Sequence, residues 1–309
     1  MRRFAVSICS AGMVLACGVA SGQDYPTKTV RLITSAAGGA SDFVARIVAQ
    51  GLTTTLGQPV IVDNRSAKIA VDSVLRAPPD GYTLLAGNPS LWIVPLFEQA
   101  SYDAVRDFSP VSMTANAPLL LVVHPALPAR SVSELIALAK ARPGSLNVAA
   151  STVGTSSHLA AELFKGMARI DMVYVPYKGG GPQVIGLISG ETQVAFDTGA
   201  SLLQHVNAGK LRALAVTSPK RSEQFPDLPT VAATVPGYEA GSSFNIFAPA
   251  KTPTAIIDRL HQDIVRILAR PDSKEKLMNV GLEAVASSPG QLATAMKSEV
   301  ARIGKLLGK

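Results

Sequence analysis

Three stretches of this chain gather glycines and small polar residues where an apolar run gives way to a helical pattern. They are Ala36-Ala37-Gly38-Gly39-Ala40-Ser41-Asp42, Ser151-Thr152-Val153-Gly154-Thr155-Ser156-Ser157-His158 and Tyr177-Lys178-Gly179-Gly180-Gly181-Pro182. A helix start leaves backbone N–H groups without partners and carries a partial positive charge. Glycine lets a guest approach the main chain, and Ser and Thr hydroxyls add adjustable hydrogen bonds. A carboxylate or phosphate fits such a place without a buried arginine. Any one junction alone reads as capping, since Ser41 or Asp42, and Thr155 or Ser156, would stabilise a helix N-terminus by about 1 kcal/mol each. Three such junctions in one chain, each after a strand, point to an anion pocket.

Other chemistry is thinner. His124, His158, His205 and His261 stand far apart and form neither HExxH nor a paired metal spacing. No Asp/Glu cluster appears, so no metal is expected. Neither GxxxxGK[ST] nor GxGxxG occurs, and no cofactor is expected. Ser157 and His158 are neighbours, but the chain has no GxSxG elbow, and His158 reads as a first-turn residue rather than a base. Asp197, closing the run "AFDTG", either orients a pocket donor or caps a turn. Lys178 either meets an anion or points to solvent. Asn88 stands at a further strand exit, before Pro89-Ser90, and joins the candidate ligand-binding residues; Trp92 beyond it reads as core.

The elements that must position these residues alternate. Strand patterns at 29–36, 59–64, 80–87, 119–125, 146–151, 172–177, 192–199, 210–218 and 244–250 are interleaved with helical ones at 41–56, 69–77, 131–144, from Leu159, 181–190, 254–269 and 289–307. Repeated β-α-β alternation implies parallel sheets covered by helices, with ligands at the carboxyl ends of strands. The length suits two α/β lobes.

With 47% hydrophobic and 17% charged residues the chain is globular. Its 29 Lys and Arg against 22 Asp and Glu are spread out, with no dense basic block, so nucleic acid is not an expected partner. Residues 1–22 differ from the rest: Arg2-Arg3, an apolar stretch from Phe4 to Ala20, then Ala20-Ser21-Gly22. This is the pattern of a secretory signal, and it contains both cysteines, Cys9 and Cys17. Cleavage there frees a periplasmic protein; the alternative is a lipoprotein box, Val14-Leu15-Ala16-Cys17, with a lipid on Cys17.

Several longer motifs then occur in order: "APPDGYTLL" (77–85), "DFSPV" (107–111), "LLVVHPALPARSVSELIALAKARPGSLNVAAS" (120–151), "GTSSHLAAELF" (154–164), "VPYKGGGP" (175–182), "KLRALAVTS" (210–218), "PDLPTVA" (226–232) and "VPGYE" (235–239). Together they resemble the periplasmic solute receptors of tripartite tricarboxylate transporters, the Bug proteins. The resemblance implies a two-lobed, type II periplasmic-binding-protein-like fold, with two parallel or mixed sheets flanked by helices around a central cleft. The chain would cross between lobes near 118–125 and 244–250. That gives a leader at 1–22, a discontinuous first lobe at 23–123 and 248–309, and a second lobe at 124–247.

The resemblance further implies a non-catalytic, monomeric receptor. It would capture a small carboxylate with loops of both lobes and deliver it to membrane permease subunits. Carried over by position, those loops are Ala37, Gly38, Gly39, Ser41 and Asp42 in lobe one, and Ser151, Thr152, Gly154, Thr155, His158, Tyr177, Lys178, Gly179 and Gly180 in lobe two, with Asp197 nearby. A sensory receptor of the same fold and, more remotely, an α/β hydrolase using Ser156 or Ser157 are the alternatives. The chain departs from the family pattern where Thr34-Ser35 replace Pro-Phe and where Ser66-Ala67-Lys68 replace a longer Pro-Gly-Ala-Gly-Gly loop. It departs again where Ser243 and Asn245 stand for Trp and Gly, and where Lys251 stands for a glycine. These changes reshape the cleft wall of lobe one.

Overall fold

A computed structural model describes residues 25–35, 37–222 and 224–306. The leader at 1–22, with its Cys17 alternative, and Ala36 lie outside the described residues.

The first half is built from β1 (Val30–Thr34), α1 (Ala40–Leu56), β2 (Val60–Asn64), α2 (Ala67–Leu75), β3 (Thr83–Gly87) and α3 (Ser90–Phe97). Strands β2, β1 and β3 are parallel in that order. Then comes β4 (Phe108–Val123), a strand of 16 residues. The second half holds α4 (Val132–Ala141), β5 (Asn147–Ala150), α5 (Ser156–Ala168), β6 (Val173–Pro176), α6 (Gly180–Ile188), β7 (Val194–Thr198), α7 (Gly199–Asn207) and β8 (Arg212–Val216). The chain returns through β9 (Gly241–Pro249), α8 (Thr254–Ala269), α9 (Pro271–Met278), β10 (Glu283–Ala284) and α10 (Pro289–Leu306).

Strand β4 belongs to two sheets. Its residues Phe108 to Pro118 pair antiparallel with β9, which also pairs β3; its residues Leu119 to Val123 pair with β7 and β8. The sheet order is therefore β2-β1-β3-β9-β4-β7-β5-β6. All of β9, from Gly241 onward, pairs within the first sheet.

Each sheet is covered on both faces, as parallel strands require. In the first, Val44, Val48 and Leu52 of α1 and Ile257, Leu260 and Ile264 of α8 share one apolar cluster, while Ala70 and Val74 of α2, Trp92 of α3 and Met296 of α10 share another. In the second, Leu135 of α4, Phe164 of α5 and the buried Tyr238 cover one face, and Val184 of α6 and Leu202 of α7 the other. Fully burying a side chain of this size is worth about 1.5–3 kcal/mol, and the interleaved strand pattern follows from it. Ser131 caps α4 as its spacing to Glu134 suggests, accepting from the Glu134 N–H at 3.1 Å, while Glu134 Oε2 accepts from the Arg130 N–H at 2.6 Å.

The structure corrects several expected elements. The first eleven residues of β4, with Pro110 and Pro118, do not read as strand, and α3, α7 and α9 carry no helical pattern strong enough to be anticipated. Helix α5 starts at Ser156, three residues before Leu159. Trp92 is core, as expected, and donates Nε1–H to Glu299 Oε2 at 2.9 Å, tying α3 to α10.

The passage between sheets is clamped by one hydroxyl. Thr217 Oγ1 accepts from the Leu119 N–H at 2.7 Å and bridges to the carbonyls of Leu119 (3.0 Å) and Ala240 (2.8 Å). Thr217→Val, which keeps the shape, leaves the Leu119 N–H buried and unpaired; it should cost about 1–3 kcal/mol in urea unfolding, and Thr217→Ser much less. Lys251 stands at φ 67, a left-handed conformation. Replacing it with the glycine of the family pattern should leave stability unchanged or raise it by up to about 1 kcal/mol, because relief of side-chain strain offsets the greater freedom of unfolded glycine; a thermal melt compares the two.

Candidate functional site

Strand β1 ends at Thr34, whose hydroxyl donates to Ala86 O at 3.0 Å and so fixes where the following loop leaves the sheet. Ala37 and Gly38 are exposed, and Gly38 takes φ 84, open to few residues but glycine. Gly39 caps α1 without a side chain. Its φ of −96 is ordinary, and a Cβ built there meets nothing within 4 Å. Neither conformation nor packing demands glycine at 39; its smallness leaves open space before the helix start.

Asp42 is engaged within its own half. Its carboxylate accepts from the Gly38 N–H (3.2 Å), Arg46 Nε (3.1 Å) and Asn64 Nδ2 (2.9 Å), and Asn64 also donates to Ser35 O at 2.9 Å. Burial pushes its pKa up, but these donors outweigh burial and hold it below the ordinary carboxylate value. Asp42 and Arg46 thus neutralise each other beside the loop. Ser41 Oγ accepts from Asn88 Nδ2 at 3.4 Å, and Asn88 Oδ1 in turn takes the Ser90 N–H (3.0 Å) and hydroxyl (2.6 Å) at the start of α3. The two strand exits are therefore joined.

In the second half the 151–158 loop largely satisfies itself. Thr155 caps α5. Its hydroxyl donates to Thr152 O at 2.8 Å, and Ser157 Oγ accepts from the Ser151 N–H at 3.0 Å. His158 is buried, with its ring edge-on to Phe97 (5.7 Å) and Tyr174 (4.8 Å). Burial lowers its pKa, and its Nδ1 accepts from the Gly154 N–H at 3.3 Å. A neutral ring accepting at Nδ1 carries its proton on Nε2. Ser157 and His158 are each spent on a backbone amide and do not form a nucleophile–base pair. The N–H groups of Ser156 and Ser157, in the first turn of α5, have no partner within the helix.

Gly179 caps α6, again without a side chain. Among the expected site residues nearby, Tyr177 turns its ring onto Gly186 in the middle of α6, and Lys178 is exposed; only their main chain lies at the helix start. Asp197 closes β7. Its Oδ1 accepts from the Thr198 N–H at 2.7 Å, and a Cβ at Gly180 would stand 3.3 Å from Asp197 Oδ2 and Ser201 Oγ. Burial pushes its pKa up to about 6.

Gln183, fully buried, was not anticipated. It accepts from Ser151 Oγ at 3.1 Å and donates to Ala149 O (3.4 Å) and Phe196 O (3.3 Å), so that one amide joins β5, β7 and α6. Its place in the first turn after the triple glycine is the signal that could have found it. Helix α7 was missed as well, and it completes the arrangement. A cavity of about 170 Å³ is lined by Gly38, Gly39, Asp42, Phe43 and Arg46 of the first half, by Ala200 of α7 and by Val280. The starts of α1 and α7 thus face each other, with the α6 start and Asp197 beside Ser201. Helix starts of this kind supply backbone N–H groups and positive potential to an anion.

Comparison with known proteins follows the same lines. The family model described as tripartite tricarboxylate transporter family receptor matches residues 44–309. Protein BugT of Bordetella pertussis is 34% identical, covering 91% of this chain and 89% of its own length. Among solved structures, R. palustris Rpa4515, solved with adipate, is 38% identical with a TM-score of 0.88, covering 91% of this chain and 97% of that one. MatC from Rhodopseudomonas palustris, with bound malate, is 29% identical with a TM-score of 0.84, covering 90% and 98%. The fold is thus the two-lobed one that the motifs implied, and the chain belongs to the tripartite tricarboxylate transporter family of receptors.

Proposed function

We propose that this chain is a non-catalytic periplasmic receptor that closes two lobes on a small carboxylate and presents the closed form to membrane permease subunits. Reading the lobes from strand pairing, lobe one comprises 25–118 and 241–306 and lobe two 119–240. The observation that carries the proposal is the open space before Gly39, facing the start of α7 across a cavity of about 170 Å³. The guest's charge is met by main-chain N–H groups of the α1, α5, α6 and α7 starts; Ala37, Gly39, Thr152 and Lys178 to Gly180 contribute backbone and the Thr152 hydroxyl, while Asp42, Asn88 and His158 hold those loops in place. The adipate and malate held by Rpa4515 and MatC make small carboxylates the class to test. We take the receptor to act as a monomer, exported by the leader at 1–22.

A guest touching both lobes shifts the protein toward its closed form by its differential affinity for that form. Gly39→Val should weaken calorimetric binding of adipate or malate by about tenfold or more, while the melting point without guest stays within the shift expected of about 0.5 kcal/mol. Equal loss of binding and stability would leave Gly39 as a turn residue only.

Asp197 gives the site a pH dependence. Its folded pKa of about 6 lies above its ordinary value of 3.8, so the folded state binds the proton more tightly. The resulting stabilisation is present below the lower value and is lost as pH rises through the higher one. A carboxylate guest beside it should bind more weakly as pH rises through about 6 and Asp197 ionises. Asp197→Asn should flatten both profiles; titrations between pH 5 and about 7.5, with melts at the same points, check this.

A further inference from the structure

Two glycines of the second half meet the first half across the seam, at separate contacts. A Cβ built at Gly154 would stand 2.7 Å from Val94 Cγ2 and 3.1 Å from Val94 Cα, in α3. A Cβ built at Gly199, the first residue of α7, would stand 2.9 Å from the carbonyl oxygen of Val280, between α9 and β10. Leu203 and Phe225, of Gly199's own half, close in at 3.1 Å, but with the ends of side chains that can turn; the Val280 oxygen is backbone. Around Gly154 the halves also touch through the edge-on pair Phe97–His158 at 5.7 Å, the Ser156 hydroxyl donating to Ser242 Oγ at 3.2 Å, and Leu159, which packs on the first-half core.

We propose that Gly154 and Gly199 are closure stops, positioning residues whose missing side chains let the two halves meet, so that a side chain at either holds the lobes apart. The inference rests on the receptor reading above and adds to it. It places the constraint on Gly154 in the approach of α3 rather than in contact with the guest, and it adds Gly199, which the sequence offered only as the end of the run "AFDTG". Gly154 also has φ 81, which strains any other residue whether or not the lobes close; Gly199 has no such strain, so the pair separates the two causes.

The test needs no guest. In a chain carrying Cys9→Ser and Cys17→Ser, Ser156→Cys and Ser242→Cys place one thiol on each side of the seam, where the hydroxyls now stand 3.2 Å apart. The rate at which the disulfide forms under a fixed oxidant reports how often the halves meet. Adding Gly199→Ala, which touches neither thiol position, should slow that rate about tenfold, and Gly154→Ala should do the same. Val94→Ala should restore the rate in the Gly154→Ala chain and leave the Gly199→Ala chain slow. Unchanged rates in both glycine variants, each confirmed folded by a cooperative melt, would overturn the proposal; a Gly154→Ala rate that Val94→Ala does not restore would overturn it for Gly154. Adipate added to the parent thiol pair should speed the reaction. Its failure to do so, with the glycine variants still slow, would count against the carboxylate reading and leave the closure stops standing.

Discussion

The fold depends on one strand that changes sheets. Pro118 is the last residue of β4 paired in the first sheet and Leu119 the first paired in the second. Proline offers no N–H to a ladder, so a seam is natural there. The next amide, that of Leu119, is taken by Thr217 rather than by a neighbouring strand. Thr198, the last residue of β7, pairs with Leu119, which brings the start of α7 to the seam. Gly87, the last residue of β3, pairs with Asn245 a few residues inside β9. The carboxyl ends of strands in both halves therefore lie close to one line, and the helix starts that follow them face one another because of it.

What the chain reveals by itself and what it hides differ for physical reasons. The β-α alternation and the junction glycines are local and were legible. The first part of β4 was not, because its prolines and polar residues belong to a strand only through two register shifts against β9, between Pro110 and Ser112 and between Met113 and Ala115. Helix α3, "SLWIVPLF", is apolar nearly all round with Pro95 inside, so it has no stripe for periodicity to find. The same division holds at the site. Glycines 38, 39, 179 and 180 announce a backbone approach. Only in the folded chain is Asp42 claimed by Arg46 and Asn64, Tyr177 turned onto α6, and Gln183 set behind Ser151.

The electrostatic scheme follows from these placements. The guanidinium of Arg46, which lines the cavity, is already matched by Asp42, so net attraction for an anion comes from amide dipoles rather than from an unpaired cation. In the proposed reading Asp197 opposes that attraction when ionised and supports it when protonated, which makes this half-buried carboxyl the adjustable element of an otherwise fixed backbone arrangement.

The buried amide of Gln183 has a consequence for how such a protein can diversify. Because it joins three elements at once, and because Ser151, Ser157 and Thr155 are bonded in the same web, altering any one of them disturbs the others. That side of the cleft can change only by wholesale rearrangement. The opposite wall has a web of its own, in which Asp42 takes Gly38, Arg46 and Asn64, and Asn88 joins Ser41 to Ser90; the stretch Ser66-Ala67-Lys68, where the motifs led us to expect a departure from the family pattern, contributes no side chain to it. Descent with new preferences would therefore begin at residues outside both webs and leave the bonded ones as inherited.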